Sequence, residues 1–165
     1  MNAGVRSIEH GTYLSDETLA LMKQKKTFYV PTYSAWADGP NRDRASHMGP
    51  RTRTVVRRAH ELGIPIAAGS DGAYGPTDFV RLSHEVVALA DAGLTPLEAL
   101  QSATTVAATL LRVDRTTGAL EPGLDADLIA VDGNPLENPL VLEDVLLVVS
   151  NGRVAVDRVS LAKSK

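Results

Sequence analysis

The sequence predicts an α/β fold with parallel strands, followed by a C-terminal stretch of antiparallel β structure. Three observations carry this. Short apolar runs alternate with capped helical segments through the first 92 residues, in the order β-α-β-α-β-α. The run Ile64–Gly69 is apolar without alternation, as expected of a strand buried on both faces. Beyond Gly118 the helical pattern stops, and two strand-like runs flank Asn151-Gly152, a strong signal for a type I′ hairpin. The β-α-β order implies right-handed crossovers between parallel strands. With 165 residues, the chain can bury a sizeable core.

The elements follow in turn. Ala3-Gly4 reads as the stop of a helix that has no body in this chain. Val5–Glu9 is a short strand. A helix then starts at Ser15, the expected N-cap, with Asp16 and Glu17 in its first turn and Leu14 and Leu19 placed as a hydrophobic staple. Lys23, Lys25 and Lys26 suit its C-terminus. Thr27–Val30 is the second strand, ended by Pro31. Residues 37–50 carry glycines, prolines and many polar side chains and read as a long loop. Arg51–Leu62 is a helix with Val55, Val56, Ala59 and Leu62 on one face and Gly63 as its stop. Ile64–Gly69 is the third strand, and a third helix runs from about Asp78 to Ala92. Thr95-Pro96-Leu97-Glu98 is a capping box with proline at N1, opening a helical stretch to Leu111 that is broken near Thr104-Thr105. Asp127–Val131, Val145–Ser150 and Arg153–Val156 are strands.

Composition narrows the function. Hydrophobic residues are 44% and charged residues 22%, which is globular usage. The net charge of -3, with Lys and Arg scattered, argues against nucleic acid or an anionic membrane as partner. No apolar run reaches the roughly 18–20 residues of a membrane span. No secretory leader is visible, so a cytoplasmic location is expected. The chain has no cysteine, which excludes disulfides and thiolate metal sites. A metal here would use His, Asp, Glu or a modified Lys.

Two residues stand out. His10 and Asp71 each fall one step past a predicted buried strand, and rigid strand ends hold ligands to the tolerance that catalysis needs. The pair suits two metal ligands, or a ligand and a general base. Each also has a plain structural reading: a loop cap or core hydrogen bond for His10, a turn for Asp71. Glu9 should point to the other side of the strand from His10. Tyr13, Thr32 and Tyr33 follow the same strand ends and read as substrate contacts or as packing and turn residues. His60 and His84 lie in helices, as surface or core-edge residues, and His47 lies in the long loop. Gly69–Gly75 holds three glycines but matches neither the P-loop nor the dinucleotide fingerprint, and no Gly-x-Ser-x-Gly elbow is present.

Four segments together resemble a known family. They are Ala3-Gly4-Val5-Arg6-Ser7-Ile8-Glu9-His10-Gly11, Ala67-Ala68-Gly69-Ser70-Asp71, Ala92-Gly93-Leu94-Thr95-Pro96-Leu97-Glu98-Ala99-Leu100 and Gly118-Ala119-Leu120-Glu121-Pro122-Gly123-Leu124-Asp125-Ala126-Asp127-Leu128. In this order and spacing the chain resembles the C-terminal part of a metal-dependent amidohydrolase of the imidazolonepropionase-like and prolidase-like branch. The resemblance implies the last three βα units of a TIM-type (β/α)8 barrel, then a helical segment and part of a small β-sandwich. It divides the chain into residues 1–112, partial barrel, and 113–160, part of the sandwich. It implies His10 as the strand-six metal ligand. It makes Asp71 the strand-eight aspartate, which binds metal and shuttles the proton of the attacking water. The implied cofactor is a divalent metal, zinc above others. The implied substrate is a small molecule with a C–N bond: a dipeptide, an N-acyl amino acid or a cyclic amide.

The chain departs from that family in two ways. The family's His-x-His pair, its bridging lysine or glutamate and its strand-five histidine have no counterpart here, and a full barrel needs about 250 residues. A fragment is therefore expected, binding zinc weakly and hydrolysing nothing alone. Where many relatives place His-Gly after the aspartate, this chain has Gly72-Ala73-Tyr74-Gly75-Pro76. The alternative is a non-catalytic α/β binding or assembly module. Three parallel strands would then leave an open edge, favouring a homo-oligomer.

Overall fold

The computed structural model describes residues 3–37, 42–72 and 82–159. Strands β1 (Ser7–Glu9) and β2 (Phe28–Val30) pair in parallel, with Ser7 opposite Phe28, Ile8 opposite Tyr29 and Glu9 opposite Val30. Tyr29 also bridges Ile66 in parallel. The result is one row, Ile8–Tyr29–Ile66, across three adjacent segments running the same way. The β-α-β reading of the first part of the chain is thus realised.

The third strand is narrower than its sequence suggests. Ile64–Gly69 contributes only the bridge at Ile66, held by Tyr29 N–H to Pro65 O and Ala67 N–H to Tyr29 O, both 2.9 Å. Pro65 has no N–H to extend the ladder. The next amide, Ala68, donates to Ser102 O at 2.9 Å rather than to a strand.

Helix α1 (Asp16–Lys25) starts as expected: Ser15 Oγ accepts the Thr18 N–H, and Leu14 packs against the core that buries Leu19. A four-residue helix α2 (Ser34–Ala37) follows β2. The expected loop over 37–50 is a correction. Helix α3 spans Arg42–Glu61 and runs through Pro50, while residues 38–41 lie outside the described residues. Proline removes one rung of the helix ladder. Packing outweighs that loss: Thr52 is fully buried, with its hydroxyl 3.0 Å from that of Thr12. His47 therefore sits exposed on a helix, not in a loop.

Helix α4 (Leu82–Ala92) ends at Gly93 as expected, and the predicted start at Asp78–Arg81 lies outside the described residues. Helices α5 (Pro96–Ser102) and α6 (Thr105–Leu111) are separated at the expected break, and the Thr95–Glu98 capping box is formed. One face of the three parallel segments packs on α1, α3 and α4 through Leu19, Met22, Val56, Ala59, Val86 and Leu89. The other face looks into a hollow of about 410 Å³, partly roofed by Ala107, Leu110 and Leu111 of α6. Arg6 ties that roof to β1, donating to Leu110 O at 2.7 Å and Thr109 O at 2.5 Å.

The C-terminal part is an antiparallel meander of β3 (Leu128–Val131), β4 (Val145–Ser150) and β5 (Arg153–Asp157). Asn151 and Gly152 turn β4 into β5 with φ of 50° and 72°, the left-handed pair that a type I′ turn needs. A short 3-10 helix, Pro139–Glu143, buries Leu142 in the same core as α4.

Candidate active site

The ends of the three parallel segments share a conformation that side-chain-bearing residues rarely adopt. His10 follows β1 with φ 61°, Thr32 follows β2 with φ 48°, and Asp71 follows the Ile66 segment with φ 49°. Among the described residues, the other non-glycine cases have ordinary explanations. Lys26 and Arg112 close helices, and Asn151 sits in the hairpin turn. A β-branched residue such as Thr32 is a true outlier there. Each such residue costs about 1–3 kcal/mol and persists only where its surroundings enforce it.

His10 is enforced from three sides. Its N–H donates to Val30 O at 2.9 Å, continuing the β1–β2 ladder. Its carbonyl accepts the Tyr29 hydroxyl at 2.9 Å. Its ring Nδ1 lies 2.7 Å from Thr32 Oγ1. The Thr32 hydroxyl carries a single proton, which it donates to Pro31 O at 2.7 Å. With that proton on Pro31 O, the hydrogen-bond network assigns Nδ1 as the donor of the His10–Thr32 bond, the Nδ1–H tautomer. Nε2 becomes the basic nitrogen, the arrangement a histidine metal ligand needs. Glu9 takes a different partner, accepting the Ser7 hydroxyl at 2.6 Å, and both line the hollow.

Asp71 is exposed, as is His10. Its approach is set by Gly69, where a Cβ would come 2.6 Å from Val30 Cγ1. The segment carrying Asp71 thus lies closer to β2 than any side chain at Gly69 would permit. Of the motif Gly72–Pro76, residues 73–76 lie outside the described residues.

The other predicted residues divide. Thr32 (3% exposed) touches His10 and is otherwise buried. Tyr33 (8% exposed) is part of the core. Tyr13 is 68% exposed, with the Arg51 guanidinium 4.7 Å over its ring. His60 pairs with Glu98 at 3.1 Å and His84 with Glu143 at 3.5 Å, away from the strand ends.

One residue at this end of the molecule escaped the sequence reading. Glu85 of α4 is fully buried, and its two carboxylate oxygens accept the N–H groups of Tyr33 (2.9 Å) and Ser34 (2.6 Å). Burial pushes its pKa up, while the two amides pull the other way. Burial also raises the Tyr29 phenol, and the Glu85 charge adds to it. The signal was present: Glu85, Ala88, Leu89 and Ala92 form an i, i+3, i+4, i+7 stripe, so an acid stands on the apolar face.

Among the described residues, no group of three or more His, Cys, Asp or Glu side chains is placed to hold a metal. His10 and Asp71, exposed at the ends of the two segments that flank β2, offer an imidazole and a carboxylate, the side-chain chemistry of metal donors.

Comparison with known proteins places this fold. Residues 1–155 match the model of the amidohydrolase family. A Xaa-Pro dipeptidase with bound methionine superposes with a TM-score of 0.82 at 39% identity, covering 93% of this chain and 40% of that one. Ochratoxinase of Aspergillus niger is 30% identical over 87% of this chain and 32% of its own length. Imidazolonepropionase of Symbiobacterium thermophilum is 30% identical over 93% of this chain and 35% of its own. The chain belongs to the amidohydrolase family, on the prolidase- and imidazolonepropionase-like side anticipated from its four segments. It spans between a third and two-fifths of the length of these relatives.

Proposed function

We propose that this chain supplies one part of a metal-dependent hydrolase site that cleaves a C–N bond, with His10 and Asp71 as its metal donors. The observation that carries the reading is the trio of left-handed segment ends, one of which locks the His10 tautomer through Thr32. The strands around them correspond to barrel strands six, seven and eight, residues 1–112 to the barrel part and 113–160 to the sandwich part. The structural likeness to a Xaa-Pro dipeptidase supports this.

A divalent metal, zinc on this oxygen and nitrogen donor set, supplies Lewis acidity to the scissile carbonyl and acidifies a water. His10 presents Nε2 and is kept from rotating by Thr32. Asp71 takes the proton of the attacking water and delivers it to the leaving nitrogen. Tyr13, exposed beside Arg51, faces substrate, while Thr32 and Tyr33 form the floor between the segment ends. Dipeptides are the favoured substrates, given the dipeptidase likeness, ahead of N-acyl amino acids and cyclic amides.

Zinc titration by calorimetry tests the donor assignment. Two donors fall short of the three that a catalytic zinc takes from protein. The chain alone should bind zinc weakly, at one site lost in both His10→Ala and Asp71→Ala. Binding that is tight, or that survives both substitutions, overturns the assignment.

A further inference from the structure

We infer that Glu85 is a positioning residue for His10, acting through the Pro31–Ser34 turn and the Thr32 hydroxyl. The inference extends the reading of His10 as a metal donor, and the relay itself is a property of the metal-free chain.

The turn needs an external restraint. Thr32 is held at φ 48°, a conformation its branched side chain disfavours. On its N-terminal side Pro31 and the β2 ladder fix the backbone. On its C-terminal side stands α2, only four residues long. Such a helix cannot hold itself, and its first amides have no partner within it. Glu85 supplies the partner from α4. Its two oxygens take one amide each, Tyr33 N–H and Ser34 N–H, the residues directly after Thr32.

The chemistry of the side chain matters. A carboxylate offers an acceptor on both arms, whereas glutamine offers one acceptor and one donor. Burying an acid is unfavourable, as its raised pKa records. An acid at this position is explained by the double acceptance. Glu85 thereby sets where Thr32 Oγ1 stands, and Thr32 Oγ1 sets which His10 nitrogen carries the proton. The path crosses three elements: α4, the turn after β2 and the end of β1.

A structural cap and a positioning relay differ in what they do to His10. The histidine tautomer of the metal-free chain is read from imidazole 15N shifts by NMR, above the pH at which the ring is protonated. Wild type should show His10 mainly as Nδ1–H. Glu85→Gln should shift His10 to a mixture of tautomers, with at least a several-fold gain in Nε2–H. Leu89→Ala removes core volume from the same helix and should lower the melting temperature with His10 unchanged. If Glu85→Gln does not fold, Glu85→Asp, which keeps both acceptors on a shorter arm, is read in the same way. Thr32→Ala should give the same mixture, and Thr32→Ser should restore the wild-type tautomer. A wild-type Nε2–H tautomer, or an unchanged His10 in the folded Glu85 variant, overturns the relay. Zinc binding measured on the same samples separates the two claims. A tautomer shift in Glu85→Gln with no His10-dependent zinc binding retains the relay and removes the metal assignment.

Discussion

Two acids show opposite couplings between proton and fold. Glu98 accepts hydrogen bonds from the Thr95 side chain, from His60 and from the Thr95 backbone, which hold its pKa down at about 2. A depressed carboxylate stabilises the native state above its unfolded pKa, and that contribution is lost as pH falls through the folded value. Melts between about pH 4.5 and pH 2 should therefore lose stability, and Glu98→Gln should flatten part of that slope. The effect is at most about 1 kcal/mol, because the side chain is 44% exposed and screened. Glu85 runs the other way. Its pKa is raised, so its charge penalises the fold as pH climbs above its unfolded value, and the native state holds the proton longer. Glu85→Gln removes that penalty but leaves a buried amide poorly satisfied, which costs about 1–3 kcal/mol. Relative to wild type, its melting temperature should therefore fall more at pH 4, where wild type carries no charge penalty, than at neutral pH. At this scale the sequence singled out His10 and Asp71 by the strand ends they follow, and the structure holds both in left-handed turns there. It did not reveal how His10 is held, because Thr32 reaches it across 22 residues of chain, and Glu85 reaches the turn after Thr32 across 52, only in three dimensions.

At the scale of elements, local rules served where turns and caps decide, and failed where packing decides. Ser15, the Thr95–Glu98 box, the break between α5 and α6, and the Asn151-Gly152 hairpin all follow from nearest neighbours along the chain. The hairpin has a side-chain latch as well: Asp127 accepts the Asn151 N–H at 2.7 Å and the Thr117 hydroxyl at 2.9 Å, which lowers its pKa. The Gly49-Pro50 signal misled, because the helix it should have interrupted buries Thr52 against Thr12. The third strand shortened because its last free amide goes to the end of α5. Gly69 offers a direct test of how these segments pack. Alanine there meets Val30 at a distance no methyl tolerates, so Gly69→Ala should lower stability by about 1–3 kcal/mol in a urea melt. It should also displace Asp71 and weaken zinc binding. An alanine variant as stable as wild type would mean the segment has room to move.

At the scale of the whole molecule, the two parts of the chain share a core rather than hanging from a linker. Leu142 is buried in the core that α4 lines, and Val131 of β3 packs against it. Chemical denaturation should therefore show one transition for both parts, checked by following Trp36 fluorescence and β-sheet circular dichroism together. Two separated transitions would mean that the meander folds independently. The β3–β5 sheet also keeps apolar side chains in water: Ile129 is 51%, Val154 62% and Val156 42% exposed, and β5 is exposed along its whole length. Exposed edge strands of this kind favour strand addition by another copy. Sedimentation velocity should show concentration-dependent association, reduced in Val154→Lys.

The left-handed turns at His10, Thr32 and Asp71 also bear on how this fold would respond to selection. Glycine relieves the backbone penalty at such positions, and asparagine relieves part of it. The fold would therefore gain at the three places where the proposed chemistry would lose. In a library selected only for heat resistance, substitutions to glycine and asparagine should accumulate at these three positions. Their enrichment would trace the outline of the site with no substrate in hand.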